Sequence, residues 1–230
     1  MNEFFANSLY AGVVLSFIAF AIGKYLNKKL KSPLINPLLV AIIIVILFLK
    51  LSNVSYENYN LSAKYLSYLI GPATVSLAVP LYQKLEILKK NYKAVAISLI
   101  VGVFASLVSV ILFSIIFKLE RDIMITLLPK SVTTAIGVDI AEEFGGYGSL
   151  TAAIIIITGV FGYIVAESLF KIFKIKHPIS KGLAIGVSSH VMGTAKAVEL
   201  GELEAAMSSL AIVICGVLTI IGVNILVQII

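Results

Sequence analysis

The chain has 230 residues, of which 60% are apolar and 13% are charged, and its mean hydropathy is +1.05. Soluble domains carry about 25% charged residues, so the composition excludes a soluble domain and predicts an all-α polytopic membrane protein. The formal net charge of +6 does not indicate nucleic-acid binding, because the lysines form short clusters beside apolar runs, as in the loops of membrane proteins.

Several apolar runs are long enough to cross a bilayer as helices. A hydrocarbon core of about 30 Å requires about 20 apolar residues. Five runs meet this length, at 7–26, 33–51, 92–117, 149–173 and 203–228. Three further segments are interrupted by Pro, Gly, Ser, Thr and charged residues, at 61–84, 121–143 and 179–200. We therefore expect a single integral membrane domain over 1–230, with about seven or eight transporter-like segments, some of them broken or re-entrant.

Three lysine clusters, at 24–31, 84–93 and 171–181, restrict how the chain crosses the membrane. Basic loops favour the cytoplasmic side. Eight full crossings would place the third cluster opposite the first two, whereas a segment 121–143 that enters and returns on one face would align all three. The charges therefore favour a re-entrant element there, surrounded by protein or water, over the alternative of eight plain crossings.

An internal repeat relates two parts of the chain. PATVSLAV from Pro72 matches PKSVTTAI from Pro129, and the same offset of 57 residues (72 to 129) carries GVF at 102–104 onto GVF at 159–161. We expect repeat units at about 61–117 and 118–174, and a third, diverged unit at 179–228. Repeats with interrupted helices at corresponding positions indicate a transporter whose binding site lies at the interruptions.

The segment LLPKSVTTAIG carries the first set of candidate binding residues. Proline lacks a backbone donor and disfavours a helical residue before it, so Pro129 is expected to begin a half-helix inside the membrane. Ser131, Thr133 and Thr134 can cap that start, where free N–H groups and the helix dipole attract an anion. Lys130 adds a full positive charge; the alternative is that it lies near the interface and snorkels to water.

A second polar cluster, GVSSHVMGTAK, begins at Gly186. Its small residues allow helix backbones to approach closely, and its hydroxyl and imidazole groups can bond across helices. The candidate binding residues here, with two from the first repeat, are Ser188, Ser189, His190, Gly193, Thr194, Lys196, Thr74 and Ser76. His190 is either a proton relay or substrate ligand, or a packing histidine. Adjacent Ser189 and His190 do not indicate a hydrolase, because neighbours on a helix point apart; we expect no enzyme activity.

The acidic residues have two alternative placements each. Glu167 lies within an apolar run and is expected either to pair with a lysine of another segment or to reach the interface. The remaining acids near the second repeat and the last run are expected on solvated edges, a coupling-ion site being the alternative: Asp139, Glu142, Glu143, Glu199, Glu202 and Glu204. The lone Cys215 predicts neither a disulfide nor a metal site, and we expect no cofactor.

Three stretches closely resemble the LrgB/CidB family of bacterial membrane proteins. They read PKSVTTAIGVDIAEEFGG from Pro129, SLTAAIIIITGVFG from Ser149 and GLAIGVSSHVMGTAKAVELGELEAAMSSLAI from Gly182. The similarity is dense over about 125–225 and looser before it, and covers essentially the whole chain. The family commonly has a proline after the two threonines, where this chain has Ala135, which implies a softer kink.

The resemblance implies two functions for a multi-pass protein of the cytoplasmic membrane. Family members are usually described as antiholin-like or holin-like proteins that modulate murein hydrolase activity and cell lysis with a small partner, LrgA or CidA. The family also includes the C-terminal half of the plastid glycolate/glycerate translocator, and bacterial members are linked to pyruvate uptake. A LrgA- or CidA-like partner is therefore expected. A homodimer is expected separately, from the way in which transporters of this kind usually assemble.

The residues and the transporter members of the family converge on small carboxylates. A half-helix N-terminus, a lysine and hydroxyl groups are what a 2-oxo or 2-hydroxy acid needs. We therefore expect translocation of small monocarboxylates such as pyruvate or glycolate. The alternative is antiholin-like regulation of murein hydrolase export or activity and of cell lysis.

Overall fold

The computed structural model describes residues 1–30, 37–69, 72, 75–76, 79 and 82–229. These residues are predominantly helical and include no strand, which confirms the all-α class. Within them, four helices are long and apolar enough to cross a membrane, at Ala11–Leu30, Tyr92–Ile116, Gly148–Ile172 and Glu202–Val227. A further apolar helix, Pro37–Leu51, is shorter. The number of seven or eight segments stays a prediction.

The chain divides into two compact units, Met1–Ser76 and Leu77–Ile230, here called unit 1 and unit 2. The helices of unit 1 are α1 (Asn2–Asn7), α2 (Ala11–Leu30), α3 (Pro37–Leu51) and α4 (Tyr56–Ala63), followed by a 3₁₀ segment at Lys64–Leu69. Gly12 near the start of α2 donates its free backbone N–H to Ser62 Oγ of α4 over 2.8 Å. This bond fastens α4 to the N-terminal end of α2.

The helices of unit 2 are α5 (Leu85–Lys90), α6 (Tyr92–Ile116), α7 (Arg121–Leu127), α8 (Thr134–Glu143), α9 (Gly148–Ile172), α10 (Pro178–Leu200) and α11 (Glu202–Val227). One face of α6 is buried at helical spacing, at Val95, Leu99, Val103, Leu107 and Val110. These side chains share a core with buried residues of α10 and α11, such as Leu183 and Met207. The opposite faces of the long helices remain exposed and apolar, as in membrane-spanning helices.

Helices α7 and α8 form a hairpin that enters unit 2 and returns to the same end; residues 121–143 are called hairpin 1. The Tyr147 N–H, just after the hairpin, donates to Thr126 Oγ1 over 2.9 Å, and its hydroxyl donates to the Asp122 carboxylate over 2.5 Å. Thr151 Oγ1 in α9 donates to Thr126 O over 3.1 Å. The chain leaving the hairpin thus lies beside the chain entering it, which agrees with the re-entrant prediction.

Helix α10 is also a hairpin, called hairpin 2, because it is interrupted at His190 with φ 43° and ψ −135°. Gly193 lies against Ile185, so that a Cβ added to Gly193 would be 2.6 Å from Ile185 Cγ2. In a continuous helix, residues this far apart in sequence would be separated by about 12 Å along the axis. The entering arm before His190 and the returning arm after it therefore lie side by side, and the segment 179–200 does not cross as one helix.

Two contacts show which helix ends lie together at each end of unit 2. Lys84 Nζ, just before α5, lies 3.2 Å from Glu202 Oε2 at the start of α11. Arg121 of hairpin 1 donates to Val227 O at the end of α11 over 3.3 Å. Hairpin 1 therefore enters from the end where α11 finishes, while hairpin 2 enters from the end where α11 begins. We call the latter the lysine end, because the clusters at 84–93 and 171–181 both lie there, as the re-entrant prediction requires.

The two hairpins give unit 2 an inverted arrangement. Hairpin 1 is followed by α9, which runs toward the lysine end, and hairpin 2 is followed by α11, which runs away from it. Each pair is one hairpin and one long apolar helix, in opposite orientations. This is the kind of inverted pairing found in many secondary transporters. The sequence duplication itself stays a prediction.

The predicted half-helix does not begin at Pro129. Helix α7 ends at Leu127, and α8 begins at Thr134 with Thr133 as its N-cap residue. Pro129 is buried in the turn between them, where its missing N–H ends α7 instead of starting α8. The Thr133 side chain makes no capping hydrogen bond, and Thr134 is exposed. A half-helix does start within the predicted segment 129–134, but it starts at Thr134 instead of Pro129, and the expected capping by the Thr133 hydroxyl is absent.

Candidate anion-binding site

Lys130 lies in the turn at the tip of hairpin 1, and its ammonium group faces hydroxyl groups. Its Nζ donates to Ser106 Oγ of α6 and to Ser131 Oγ, each over 3.2 Å, and the two hydroxyl oxygens are also 3.2 Å apart. Among the residues that the structure describes, no carboxylate forms an ion pair with Lys130. Hydroxyl groups solvate an ammonium but do not neutralise it, so this half-buried site keeps an unbalanced positive charge.

A cavity of about 620 Å³ opens beside this ammonium; we call it the carrier cavity. Its size lies within the range of roughly 300–1,000 Å³ typical of small-ligand sites. Its polar lining residues are Lys130, Ser98, Ser106, Ser131, Ser180 and Ser188. Its aliphatic and glycine lining residues are Val101, Gly102, Ala105, Leu183, Ala184 and Val187. The cavity can therefore offer one cation and several hydroxyl groups between small apolar walls.

Three elements of unit 2 bound the carrier cavity: α6, the tip of hairpin 1 and the entering arm of hairpin 2. Ser98 and Ser180 lie within the first turns of α6 and of hairpin 2, at the lysine end. Lys130 lies at the other extreme, at the tip of hairpin 1. The cavity thus extends from the lysine end toward Lys130, and the body of hairpin 1 lies beyond it.

Helix α6 contributes residues to this cavity that were not among the candidates predicted from the sequence. Ser98, Gly102 and Ser106 are spaced four residues apart, which places them on one face of the helix. At Gly102 an added Cβ would be 2.7 Å from Val187 Cγ1, so a small residue is needed where hairpin 2 approaches. A stripe of small and polar residues inside an otherwise apolar helix was the available signal.

The serine pair in hairpin 2 divides between the cavity and the protein interior. Ser188 is exposed, lines the carrier cavity and donates to Ala184 O over 2.8 Å. Ser189 is buried, and its Oγ lies 3.0 Å from Ser188 Oγ. Ser188, Ser131 and Lys130 are thus the candidate residues that the structure brings to one cavity.

His190 and Thr194 lie at the tip of hairpin 2 and do not line the carrier cavity. Both are buried. A ring nitrogen of His190, Nε2, lies 3.0 Å from Ile155 O in the middle of α9. Thr194 Oγ1 donates to His190 O over 3.1 Å and lies 2.8 Å from Ser208 Oγ of α11. These contacts attach the tip to α9 and α11, in line with the packing interpretation of His190.

Lys196 lies in the returning arm of hairpin 2, where carboxylates balance its charge. Its Nζ is 2.6 Å from Glu167 Oε1 of α9 and 3.0 Å from Glu199 Oε2. It also lies 5.3 Å from the ring centroid of Tyr163, whose hydroxyl donates to Glu199 over 2.5 Å. The expectation that Glu167 pairs with a lysine of another segment is confirmed. This lysine holds hairpin 2 against α9 and has no part in the carrier cavity.

The other candidates lie apart from this cavity. Pro129, Thr133, Thr134 and Gly193 do not line it. Ser76 belongs to unit 1, is exposed and donates to Pro72 O over 2.9 Å. Thr74 lies outside the described residues.

Glu204 corrects a further expectation. It is buried at 7% exposure in the first turn of α11 instead of lying on a solvated edge, since the N-terminal end of a helix stabilises a carboxylate. Asp139, Glu142, Glu143 and Glu202 are exposed as expected. Within the described ranges, no three His, Cys, Asp or Glu side chains lie together as metal ligands would.

Similarity to known proteins extends over nearly the whole chain. Residues 16–229 match the model of the LrgB-like family. The chain belongs to this family. It is 40% identical over 224 residues to the antiholin-like protein LrgB of Bacillus subtilis (strain 168), covering 97% of both chains. It is 39% identical over 213 residues to the antiholin-like protein LrgB of Bacillus mycoides (strain KBAB4), covering 92% of this chain and 93% of the relative.

A third relative, the antiholin-like protein LrgB of Bacillus cereus (strain B4264), is 38% identical over 213 residues. No solved structure matches the chain significantly. The resemblance inferred from the PKSVTT and SSH segments is therefore confirmed. The apolar helices and this family membership together identify a multi-pass membrane protein.

Proposed function

We propose that this LrgB-like chain is a carrier that binds a small monocarboxylate at Lys130 and moves it across the cytoplasmic membrane. The observation that supports this proposal most is the half-buried ammonium of Lys130, which faces a cavity and has hydroxyl partners but no carboxylate among the described residues. Keeping an unpaired charge away from water is costly, and an anionic ligand removes that cost.

The chemistry of the carrier cavity fits a 2-oxo or 2-hydroxy acid such as pyruvate or glycolate. A carboxylate can accept charge-assisted hydrogen bonds from the Lys130 ammonium. The hydroxyl groups of Ser106 and Ser131 can then donate to the carboxylate or to the oxygen on the neighbouring carbon. The aliphatic walls suit a short carbon chain, and a single lysine balances one negative charge.

The two hairpins provide the interrupted helices that a carrier of this kind needs. Transporters with interrupted helices bind substrate where the helices break and expose the site alternately to the two sides. Here Lys130 lies at the tip of hairpin 1, and the carrier cavity extends to the lysine end. Movement of the hairpins against the long helices would then open the site to the opposite end.

The test is uptake of labelled pyruvate or glycolate into proteoliposomes that contain only this chain. Saturable uptake is expected, and Lys130→Ala should abolish it while the purified protein stays monodisperse. Lys130→Arg should retain part of the activity, because it keeps the charge with a different shape. The matched control is Lys89→Ala, which removes an exposed lysine outside the carrier cavity. A folded Lys130→Ala protein that transports as well as the parent would refute the proposal.

The names of the relatives favour a second candidate, an antiholin-like function. They are called antiholin-like proteins and match nearly the whole chain at about 40% identity. In this role the chain would regulate murein hydrolase export or activity and cell lysis with a LrgA- or CidA-like partner. Both candidates can apply to one protein, if lysis responds to the flux of the transported acid.

Measuring the lysis of cells that carry the Lys130 variants distinguishes the two candidate functions. Lys130→Ala should change lysis if lysis follows transport, and should leave it unchanged if regulation acts through contacts elsewhere. Proteoliposomes with the chain alone, with the partner alone and with both complete the design. Transport by the chain alone supports the carrier, whereas transport that appears only with the partner supports a two-component system.

A further inference from the structure

A second cavity, of about 490 Å³, lies at the lysine end beside the base of hairpin 2; we call it the lysine cavity. Its charged lining residues are Lys171, Lys174, Lys176, Lys181 and Glu167. Its apolar lining residues are Phe170, Ile175 and Leu200. It thus joins the end of α9, the loop that follows and both arms of hairpin 2. Neither the carrier cavity nor the hairpin tips contribute to it.

The lysine cavity has an excess of positive charge, because four lysines line it beside a single carboxylate, that of Glu167. Among the described residues, none of its lysines forms an ion pair, and Glu167 already pairs with Lys196. One carboxylate, which is already paired, does not balance four ammonium groups, so the net positive charge of the cavity favours an anion. The cavity therefore fits a ligand with concentrated negative charge, such as a phosphate group.

Apolar surface continues from the lysine cavity along α9. Ile172 and Phe173, in the same turn as Lys171 and Lys174, are 69% and 70% exposed. Helix α9 is one of the helices long and apolar enough to cross a membrane, so these side chains lie at one of its ends. Basic groups at the cytoplasmic ends of such helices attract anionic lipids. A phosphate in the cavity could thus carry acyl chains that cover this surface, which a soluble anion would leave exposed.

We propose that the lysine cavity binds the headgroup of an anionic phospholipid, with its phosphate on the lysines and its acyl chains along the end of α9. The bound lipid would connect Lys171 of α9, and Lys174 just after α9, with Lys181 of hairpin 2. This contact would act together with the Lys196–Glu167 ion pair to hold hairpin 2 against α9. Lipid binding does not depend on the proposed carriage of a carboxylate.

The structure offers a matched control for this site. Lys174 and Lys118 both follow a long apolar helix and both have positive φ, 53° and 51°. The residue after each closes the helix with an equivalent bond, Ile175 N–H to Phe170 O over 2.8 Å and Leu119 N–H to Ser114 O over 2.9 Å. Lys118 does not line the lysine cavity. Loss of Lys118 thus removes the same charge from the same kind of helix end without touching the proposed site.

The experiment measures binding of phosphatidylglycerol to the purified full chain by native mass spectrometry, against phosphatidylcholine of the same acyl chains. Retention of phosphatidylglycerol is expected to be selective. The double variant Lys174→Gln/Lys181→Gln should lower its apparent affinity by about 25-fold, and Lys118→Gln should leave it unchanged. The double variant Lys174→Arg/Lys181→Arg should keep the selectivity, which distinguishes lost charge from lost fold.

Free glycerol 1-phosphate and inorganic phosphate form the second arm, as competitors of phosphatidylglycerol. A lipid site predicts that neither displaces the lipid at millimolar concentration. The proposal is overturned if either soluble anion displaces it, because the ligand would then be a soluble phosphate. Equal retention of both lipids, or an equal loss in the Lys118→Gln and double glutamine variants, also overturns it.

Discussion

Hairpin 1 and hairpin 2 each carry a half-buried lysine, and the two ammonium groups have opposite surroundings. Lys130 donates to hydroxyl groups beside a cavity, whereas Lys196 pairs with Glu167 and Glu199 and lies over the ring of Tyr163. A balanced charge holds helices together, and an unbalanced one attracts an anion. We therefore propose anion binding at Lys130, where no carboxylate neutralises the charge, and a structural role for Lys196, where two carboxylates do.

The largest expected effect separates the two lysines directly. Lys130→Met should weaken carboxylate binding by about 30-fold or more, since truncating one partner of a buried charge pair costs about 2–5 kcal/mol. The free energy of unfolding should not fall, because the variant removes an unpaired charge from a half-buried position. The measurements are substrate affinity by calorimetry and unfolding by denaturant titration in micelles. Lost stability with unchanged affinity would reverse the assignment of the two lysines.

Tight packing in hairpin 2 should produce the next largest effect. At Gly193 an added Cβ would meet Ile185 Cγ2 at 2.6 Å and Ile185 O at 2.9 Å. Gly193→Ala should therefore destabilise the protein by about 1–3 kcal/mol through overpacking. The control is Gly216→Ala in α11, where the added Cβ meets only Ile136 Cδ1, at 3.2 Å. Equal unfolding free energies for both variants would contradict the side-by-side arms of hairpin 2.

A smaller effect is expected at Lys196 itself. Lys196→Met should lower the free energy of unfolding by about 1 kcal/mol, because Glu167 and Glu199 are about half exposed and water screens much of the attraction. Affinity for the carboxylate should stay unchanged in the folded fraction. A double-mutant cycle with Glu167→Gln measures the pair, and a coupling near zero would show that this ion pair does not hold hairpin 2 to α9.

Charge and composition predicted the main features of this arrangement. The three lysine clusters favoured a re-entrant segment at 121–143. Hairpin 1 occupies this segment, and the clusters at 84–93 and 171–181 lie at one end of unit 2. Lys130 stood out because a charge inside an apolar protein needs a partner or a polar cavity. These predictions succeeded because burying charge is costly enough to restrict topology.

Features decided by packing were not predictable in the same way. The sequence could not show that Pro129 ends α7, because a proline is compatible with either side of a helix boundary. It also could not show which hydroxyl groups face the carrier cavity. Ser106 of α6 meets Lys130 across 24 positions of sequence, whereas nearby Thr133 and Thr134 do not line the cavity. Such neighbours depend on how the hairpins fold back.

The smallest expected effect tests this difference between near and distant hydroxyl groups. Ser106→Ala should weaken carboxylate binding by about 1 kcal/mol, or about fivefold, because it removes one hydroxyl beside the ammonium. Thr133→Val should leave affinity unchanged, since Thr133 makes no capping bond and does not line the carrier cavity. Both substitutions remove a single hydroxyl group, so the two affinities measured by calorimetry differ only through the position of the lost hydroxyl. A larger loss in Thr133→Val than in Ser106→Ala would place the ligand at the start of α8, as first expected from the sequence, and away from the serines of α6.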